Sequence, residues 1–273
     1  MAGVRTAGCG APGAVRLTES LHPTIPPRPW VAAGFERYLR RLASKHFAAV
    51  HLRRPPAVPA WDAEQPTIFV ANHTNWWDGF LAYLVGRALG TTYYVLMETQ
   101  HLARYRFFLR VGALPLDRAS APRAYADLER ARGVLAPGAG LWVFPQGARR
   151  PASEHLTGLE AGAAHLALTA ATPIRICPVG LRYGYLGEHL PEAFVWVGES
   201  WVVQPGAGSR AALTKEIGER ISGALGELDA ARDAERLAEF RLLVRGSLSL
   251  NKRLDRLRHR LGWLDGPYEE RNG

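Results

Sequence analysis

The chain has 273 residues, of which 47% are hydrophobic and 22% charged, and this composition excludes disorder over most of its length. A chain of this size buries roughly three quarters of its unfolded surface, so it needs no disulfide or metal to hold a core. The two cysteines, Cys9 and Cys177, are too few for a disulfide framework or a cysteine-based zinc site.

Two segments carry the net charge of +9. Residues 30–60 hold six basic side chains against one acidic one, and residues 241–260 hold seven against one. The rest of the chain is close to neutral. Basic segments of this kind favour an anionic partner, either a membrane surface or a nucleic acid.

No window of about 18 uninterrupted apolar residues occurs, so we expect no transmembrane helix. The N-terminus also lacks a charged segment followed by an apolar one of signal-peptide length, which argues against secretion. A cytoplasmic location is therefore expected.

Residues 1–29 are rich in Gly, Ala and Pro, which predicts a flexible tail. From residue 30 onwards apolar residues recur near helical spacing, and arginine and lysine fill the other face. This pattern predicts a basic amphipathic helix over residues 30–56, ended by Pro55 and Pro56.

Short apolar strands alternate with helices in the body of the chain. Strands are predicted at 67–71, 92–97, 113–116, 141–144 and 174–179, and helices at 78–89, 102–110, 121–135 and 159–170. The alternation predicts an α/β fold with a mostly parallel central sheet flanked by helices, with amphipathic helices at both ends. A strand pair near the sheet edge at 194–203, a long polar helix at 210–244 and a basic segment at 251–263 complete the prediction, and residues 246–273 form the basic C-terminal segment.

Several common catalytic motifs are absent from the sequence. It contains no phosphate loop ending in Gly-Lys-Ser/Thr, no G-x-S-x-G and no H-E-x-x-H. Their absence argues against P-loop nucleotide hydrolysis, α/β-hydrolase chemistry and zincin proteolysis.

A polar motif, Asn-His-Thr-Asn-Trp-Trp-Asp at residues 72–78, directly follows the first strand of the body. Loops at the carboxyl ends of strands bind ligands in α/β sheets, so His73 is predicted to open into a cleft. Asp78, at the start of the next helix, can fold back and hold the imidazole in one tautomer, which leaves the other nitrogen to take a proton. The alternative is an ordinary loop histidine followed by an aspartate at a helix N-terminus.

Two further motifs lie on strands or directly after them. Residues 144–150, Phe-Pro-Gln-Gly-Ala-Arg-Arg, combine Gly147, which permits close backbone approach, with two arginines that can bind a phosphate or carboxylate. Residues 112–118, Gly-Ala-Leu-Pro-Leu-Asp-Arg, end in Asp117 and Arg118. An ordinary turn with solvated arginines and a surface ion pair are the respective alternatives.

The order and setting of these motifs resemble the glycerolipid acyltransferases typified by 1-acylglycerol-3-phosphate acyltransferase. That family has a His and an Asp separated by four residues, then Gly-x-x-x-x-Asp-Arg, Phe-Pro-Glu-Gly-Thr-Arg and a strand of the form Pro-Ile-x-Pro-Val. The matching positions here are His73 with Asp78, Gly112 with Asp117 and Arg118, and the strand at 173–179. The resemblance extends over about residues 65–182.

The resemblance implies an O-acyltransferase of phospholipid biosynthesis with its acyltransferase domain at 57–245. His73 is then the general base that takes the proton of an acceptor hydroxyl, and Asp78 orients the imidazole. Arg118 and Arg149 are the groups implied to bind the acceptor's phosphate. The implied substrates are a lysophospholipid and an acyl thioester of coenzyme A or acyl carrier protein, and neither a cofactor nor a metal is implied.

The third motif departs from the family pattern. Gln146 stands where the family has Glu, and Ala148 where it has Thr or Ser. Glutamine forms hydrogen bonds but carries no charge, so the charge balance beside Arg149 changes. We expect Gln146 and Gly147 to line the substrate site, with backbone N–H groups near Gly147 facing the oxyanion. The acceptor stays open among lysophosphatidic acid, another lysolipid, a glycolipid and an isoprenoid-derived alcohol.

The basic segments suit an enzyme of this family, because its substrates lie in a bilayer. We expect peripheral binding to anionic lipids on the inner face of the membrane, with no nucleic acid as partner. The rival interpretation is a non-catalytic basic protein that binds nucleic acid through residues 30–60 and 241–260. A third is a catalytically dead acyltransferase fold that binds lipid.

Overall fold

The computed structural model describes residues 27–53, 64–152, 156–186, 188–234 and 236–246. Within them a single sheet is flanked by helices on both faces, so the predicted α/β class with a mostly parallel sheet is confirmed. The predicted tail, except for its last three residues, and the predicted basic segment at 251–263 lie outside the described residues.

Nine strands form the described sheet. They are β1 (Ala49–Arg53), β2 (Thr67–Ala71), β3 (Thr92–Glu98), β4 (Ala113–Leu116), β5 (Ala139–Val143), β6 (Ile174–Gly184), β7 (Glu192–Val197), β8 (Trp201–Val203) and β9 (Arg241–Arg245). Their order is β4-β3-β5-β2-β6-β7-β1-β9, and β8 pairs with the start of β6. Strands β4, β3, β5, β2 and β6 are mutually parallel, so their carboxyl ends meet at one edge of the sheet.

The helices cover the two faces of the sheet. They are α1 (Pro29–His46), α2 (Asp78–Ala88), α3 (Thr99–Arg104), α4 (Ala121–Arg132), α5 (Gly162–Thr169) and α6 (Arg210–Asp233). Helices α1 and α2 pack with one face of the sheet in the larger core, whereas α4, α5 and α6 pack on the other. Two short 3-10 helices, Arg106–Val111 and Leu237–Glu239, complete the described elements.

Helix α1 is an integral part of the fold. Its apolar side chains Phe35, Leu39 and Ala43 are buried in the larger core, and the Tyr83 hydroxyl of α2 donates a hydrogen bond to the carbonyl of Ala32. The apolar face of this helix is therefore occupied by the protein itself. Its basic face remains in solvent.

A carboxylate links α1 to α2. Glu36 accepts hydrogen bonds from Arg40 on its own helix and from Arg87 on α2. Burial opposes ionisation, but the two guanidinium groups outweigh it and hold the pKa of Glu36 below its usual value. Arg40 also donates to the carbonyl of Leu243 in β9, so this arginine joins α1 to the sheet.

The structure corrects four predicted elements. The helix predicted over 30–56 ends at His46, and residues 49–53 form strand β1. The helix predicted at 210–244 ends at Asp233, because residues 241–245 pair with β1 as strand β9. The strand pair predicted at the sheet edge corresponds to β7 and β8. Strand β7 lies inside the sheet, between β6 and β1, and β8 pairs with β6. The helix predicted at 102–110 is divided into α3 and the 3-10 helix.

No described helix combines the length and the apolarity needed to cross a membrane.

Candidate active site

The three sequence motifs come together at the carboxyl edge of the parallel strands. The loop that holds His73 leaves β2, the loop that begins with Phe144 leaves β5, and Asp117 follows β4. Since β2 lies between β5 and β6, its loop has the end of β5 on one side and the continuing strand β6 on the other. The topology thus places polar groups distant in sequence around one imidazole.

Asp78 is fully buried at the first residue of α2 and accepts hydrogen bonds at both carboxylate oxygens. Oδ2 accepts from Nδ1 of His73 at 2.8 Å and from the backbone N–H groups of Thr74 at 2.6 Å and Asn75 at 2.8 Å. Oδ1 accepts from the hydroxyl of Tyr183 at 2.5 Å. A buried carboxylate is tolerated only with such partners, so this loop conformation and the aspartate depend on each other.

The contact with Asp78 sets the tautomer of His73. Because a carboxylate accepts, Nδ1 of the neutral imidazole carries the proton and Nε2 keeps a free lone pair. The imidazole stacks on the ring of Phe144, with 4.5 Å between ring centres, and 22% of the His73 side chain is exposed. No described residue forms a hydrogen bond with Nε2, so this nitrogen can accept a proton from a bound molecule.

The backbone of the His73 loop is fastened to the strands on both sides. The side chain of Asn72 forms two hydrogen bonds with the backbone of Leu181 in β6, at 3.1 and 2.8 Å. On the other side, Oε1 of Gln146 accepts from the backbone N–H of His73 at 2.6 Å, and the N–H of Arg150 donates to the carbonyl of His73 at 2.9 Å. Gln146 is only 4% exposed, so it supports the His73 loop from the interior of the protein.

The backbone at Gly147 forms a closed turn. The N–H of Gly147 donates to the carbonyl of Phe144 at 3.0 Å, so it closes a turn and does not face a substrate. The Gly147 N–H itself is therefore used within the turn, and the expectation that backbone N–H groups near Gly147 face an oxyanion stays a prediction. Gly147 has a φ of +66°, and a Cβ there would lie within 2.9 Å of the guanidinium of Arg118.

The predicted phosphate-binding arginines have different surroundings. Arg118 donates to the carbonyl of Gly147 and forms an ion pair with Glu160 at 2.9 Å, so its guanidinium braces the turn. Arg149 is exposed, lies one residue before the backbone contact of Arg150 with His73, and forms no ion pair with any described residue. Of the two predicted groups, Arg149 has the freer guanidinium for an incoming anion.

Asp117 serves the turn after β4. Its backbone N–H donates to Asp127 of α4 at 2.8 Å, and its Oδ1 accepts from the N–H of Ala119 at 2.9 Å. Arg123 lies 3.3 Å from its other oxygen. Its contacts are therefore those of a residue that stabilises the turn after β4.

Tyr183 is a site residue that the sequence did not predict. It lies near the end of β6, 105 residues after Asp78, and no local motif connects the two. Burial, followed by the adjacent Asp78 carboxylate, raises the pKa of Tyr183 well above its usual value, so its hydroxyl stays protonated and donates.

The described residues contain no group of three or more His, Cys, Asp or Glu side chains arranged to hold a metal ion. Cys177 is fully buried in β6, and burial raises the pKa of its thiol, which makes it unsuited as a nucleophile. Cys9 lies outside the described residues. Proton transfer by His73 is the chemistry that the described side chains support.

Residues 49–182 match the family model described as Acyltransferase, and this segment is nearly half of the chain. No curated protein matches the chain. The matched segment runs from β1 to Arg182, near the end of β6, and includes all three sequence motifs. Acyl transfer in general is thus supported, and with it a transferase activity; the nucleic-acid-binding interpretation is not favoured.

Proposed function

We propose that this chain, whose residues 49–182 match the acyltransferase family, transfers a fatty acyl group from a thioester to the hydroxyl of a lysophospholipid. The observation that carries the proposal is the contact between His73 Nδ1 and the buried carboxylate of Asp78, within the matched segment. An imidazole held in this way is a general base whose second nitrogen faces outward.

The proposed reaction proceeds by direct transfer. Nε2 of His73 takes the proton of the acceptor hydroxyl while the hydroxyl oxygen attacks the thioester carbonyl. The tetrahedral intermediate then expels the thiolate, which receives the proton from the imidazolium, so that an ester and a free thiol result. Asp78 stabilises the imidazolium between these two steps, because its charge is buried and 2.8 Å away.

We propose Arg149 as the principal contact for the phosphate of the acceptor, since its guanidinium is exposed beside the His73 loop. Arg118 could join it only by exchanging its contact with Glu160. Replacing Arg149 with Gln should raise the KM for the acceptor more than the KM for the thioester. Arg123→Gln is the matched control, because Arg123 is exposed but pairs with Asp117 instead. Equal changes in both KM values would contradict an acceptor contact.

The primary experiment is an acyl-transfer assay with the full chain. Long-chain acyl-CoA and acyl-acyl carrier protein are offered in turn with lysophosphatidic acid and other lysophospholipids, and both thiol release and ester formation are measured. His73→Ala should lower turnover by about 10²- to 10⁴-fold, the usual loss for a general base. The control His101→Ala removes an exposed imidazole from α3 and should have no effect. Wild-type turnover of the His73 variant would refute the mechanism.

Lipid mass spectrometry identifies the acceptor in the cell. Lipids are compared between cells with and without the protein, and the product that disappears names the acceptor class. A role in phospholipid biosynthesis predicts loss of a diacylated phospholipid and gain of its lysolipid. Unchanged phospholipids would exclude that role.

We also propose that the protein binds an anionic bilayer from the cytoplasmic side, through a surface next to the site. This surface, the aromatic face, consists of Tyr38, Trp76, Tyr105 and Phe107, each 48 to 56% exposed. Each of the four rings packs against a buried or half-buried phenylalanine. These phenylalanines are Phe35 of α1, Phe80 of α2 and Phe108 of the 3-10 helix. Aromatic rings of this kind suit the bilayer interface.

Basic side chains lie on elements that also carry residues of the aromatic face. Six of them are exposed: Arg37, Arg41 and Lys45 on α1, Arg104 at the end of α3, and Arg106 and Arg110 in the 3-10 helix. Each contributes on the order of 1 kcal/mol near an anionic surface. Because Trp76 follows His73 by three residues, a bilayer on this face would deliver lipid substrates close to the imidazole.

Vesicle sedimentation tests the membrane proposal. The chain should bind phosphatidylglycerol vesicles more tightly than phosphatidylcholine vesicles, and salt should weaken the binding. Trp76→Ala with Phe107→Ala should reduce it strongly. The control, Tyr125→Ala with Tyr185→Ala, removes aromatic rings that are more exposed than those of Trp76 and Phe107 but lie outside the aromatic face. Equal binding by both double variants would refute the assignment of this face.

Charge reversal at Arg37 and Arg41 gives a second test of the same surface. Arg40 is left intact, because it pairs with Glu36 and donates to Leu243 and its loss would disturb the fold. Arg37→Glu with Arg41→Glu should weaken binding to anionic vesicles and leave turnover of a soluble short-chain thioester unchanged. Undiminished vesicle binding would show that α1 is not part of the membrane-binding surface.

A further inference from the structure

Tyr183 donates the hydrogen bond to Oδ1 of Asp78. Asp78 Oδ2 has three donors from its own loop, whereas Oδ1 has the hydroxyl of Tyr183 alone among the described residues. Strand β6 makes this contact possible because it continues for five residues beyond Val179, the partner of the last residue of β2. The phenol ring also stacks on Phe47, which follows α1, with 5.9 Å between ring centres.

We propose that Tyr183 is a positioning residue that acts on the general base His73 through Asp78. It has two effects, both of which rest on the proposed acyl transfer. Its hydroxyl fixes the plane of the carboxylate, so that Oδ2 points at Nδ1 of His73. It also draws negative charge towards Oδ1 and away from the imidazole, which limits the stabilisation of the imidazolium.

The second effect determines how readily the base gives up its proton. An imidazolium held too strongly by Asp78 would return its proton slowly to the departing thiolate, whereas one held too weakly would form less readily. Loss of the hydroxyl leaves more of the negative charge of Asp78 on Oδ2, beside the imidazole. The imidazole then stays protonated to a higher pH.

Other ionisable groups near the pair are few. From α1, His46 contacts the ring of Trp77, with 5.5 Å between ring centres, and from the loop after β5, Arg150 contacts His73 through its backbone N–H. Gln146 from the same loop is neutral. The described residues provide no ion pair to Asp78 apart from His73, so the phenol of Tyr183 is the one other described side chain that donates to its carboxylate.

The test compares Tyr183→Phe with Tyr93→Phe. Both changes remove one hydroxyl and keep the ring. Tyr93 is a matched control, because its hydroxyl donates to the carbonyl of Gly79 on α2 and does not touch Asp78. Tyr183→Phe should lower kcat roughly tenfold, the loss of one hydrogen bond to a charged group, with little change in the KM for either substrate.

The pH dependence separates a positioning role from a structural one. For Tyr183→Phe the midpoint of the acidic limb of the kcat/KM profile should move up by about one pH unit, whereas Tyr93→Phe should leave it in place. NMR titration of the His73 ring, assigned with His73→Ala, should show the same upward shift without any substrate. That measurement tests the role of Tyr183 even if the chain fails to transfer acyl groups to the acceptors offered.

Two outcomes would overturn the inference. One is an unchanged kcat and an unchanged titration midpoint in Tyr183→Phe. The other is a parallel loss of activity and thermal stability in Tyr183→Phe and Tyr93→Phe, with no shift in the midpoint of the pH profile or of the His73 titration. That pattern would indicate a role in packing alone.

Discussion

Replacing Asp78 with Asn removes a buried charge and preserves most of the shape of the site. The amide oxygen can accept the three hydrogen bonds now made to Oδ2, from His73, Thr74 and Asn75. The amide nitrogen can donate to the hydroxyl of Tyr183, which then accepts instead of donating. We therefore expect the variant to fold and His73 to keep its tautomer.

The catalytic loss follows from the charge alone. With Nδ1 and Oδ2 2.8 Å apart, the centres of an imidazolium and a carboxylate lie about 4 Å apart, which corresponds to about 4 kcal/mol at an effective dielectric constant near 20. The 22% exposure of His73 lets solvent screen part of that energy, whereas Asp78 is fully buried. At about 1.4 kcal/mol per factor of ten, kcat/KM should fall by about 10²- to 10³-fold.

The assay measures kcat/KM by thiol release, alongside thermal unfolding. Glu192→Gln is the matched control, since Glu192 forms another buried carboxylate–histidine contact, 2.6 Å from Nε2 of His51. His51 stacks on Phe194, which belongs to a different core cluster from the one against which Tyr183 packs. Loss of the contact between His51 and Glu192 should therefore lower stability and leave turnover unchanged. A stably folded Asp78→Asn variant with activity within about tenfold of the wild type would refute the role of its charge.

Three further predictions concern the supporting residues. Gln146→Glu should leave the preference among lysophospholipids within about twofold in competition assays, because Gln146 is buried against the backbone of His73; a changed preference would place it in contact with the acceptor. Gly147→Ala, at a φ of +66° and against the guanidinium of Arg118, should lower the free energy of unfolding in urea by about 1–3 kcal/mol, and an unchanged value would contradict the strain. Burial raises the pKa of Tyr83 to about 12, so above about pH 10 this phenol ionises in the unfolded chain before it ionises in the folded one. The free energy of unfolding should therefore fall by up to about 1.4 kcal/mol per pH unit, and Tyr83→Phe should reduce that slope.

The core of the candidate site could be predicted because it is local. His73 and Asp78 lie in one loop and the first turn of the next helix, so their spacing alone brings Nδ1 within reach of the carboxylate. The alternation of strands and helices likewise predicted the α/β class, because each element's apolar period is a property of a few consecutive residues. Local spacing and period were sufficient for both.

Long-range pairing decided the elements at both ends of the chain. Residues 49–53 and 241–245 follow helical patterns, yet they form β1 and β9, because backbone hydrogen bonds between them extend the sheet. The apolar face of α1 could equally have faced a bilayer; packing on α2 buries it and leaves the basic face outside. Pattern alone does not identify the partner of an apolar face.

The remaining site residues could come only from the tertiary structure. Gln146 and Tyr183 are 73 and 105 residues from the groups that they contact, and they meet them because β5 and β6 flank β2. The order of strands in the sheet is set by the burial of whole faces, which no short segment of sequence encodes. The sequence thus determined the pairing of His73 with Asp78, and the sheet topology determined which side chains hold the pair.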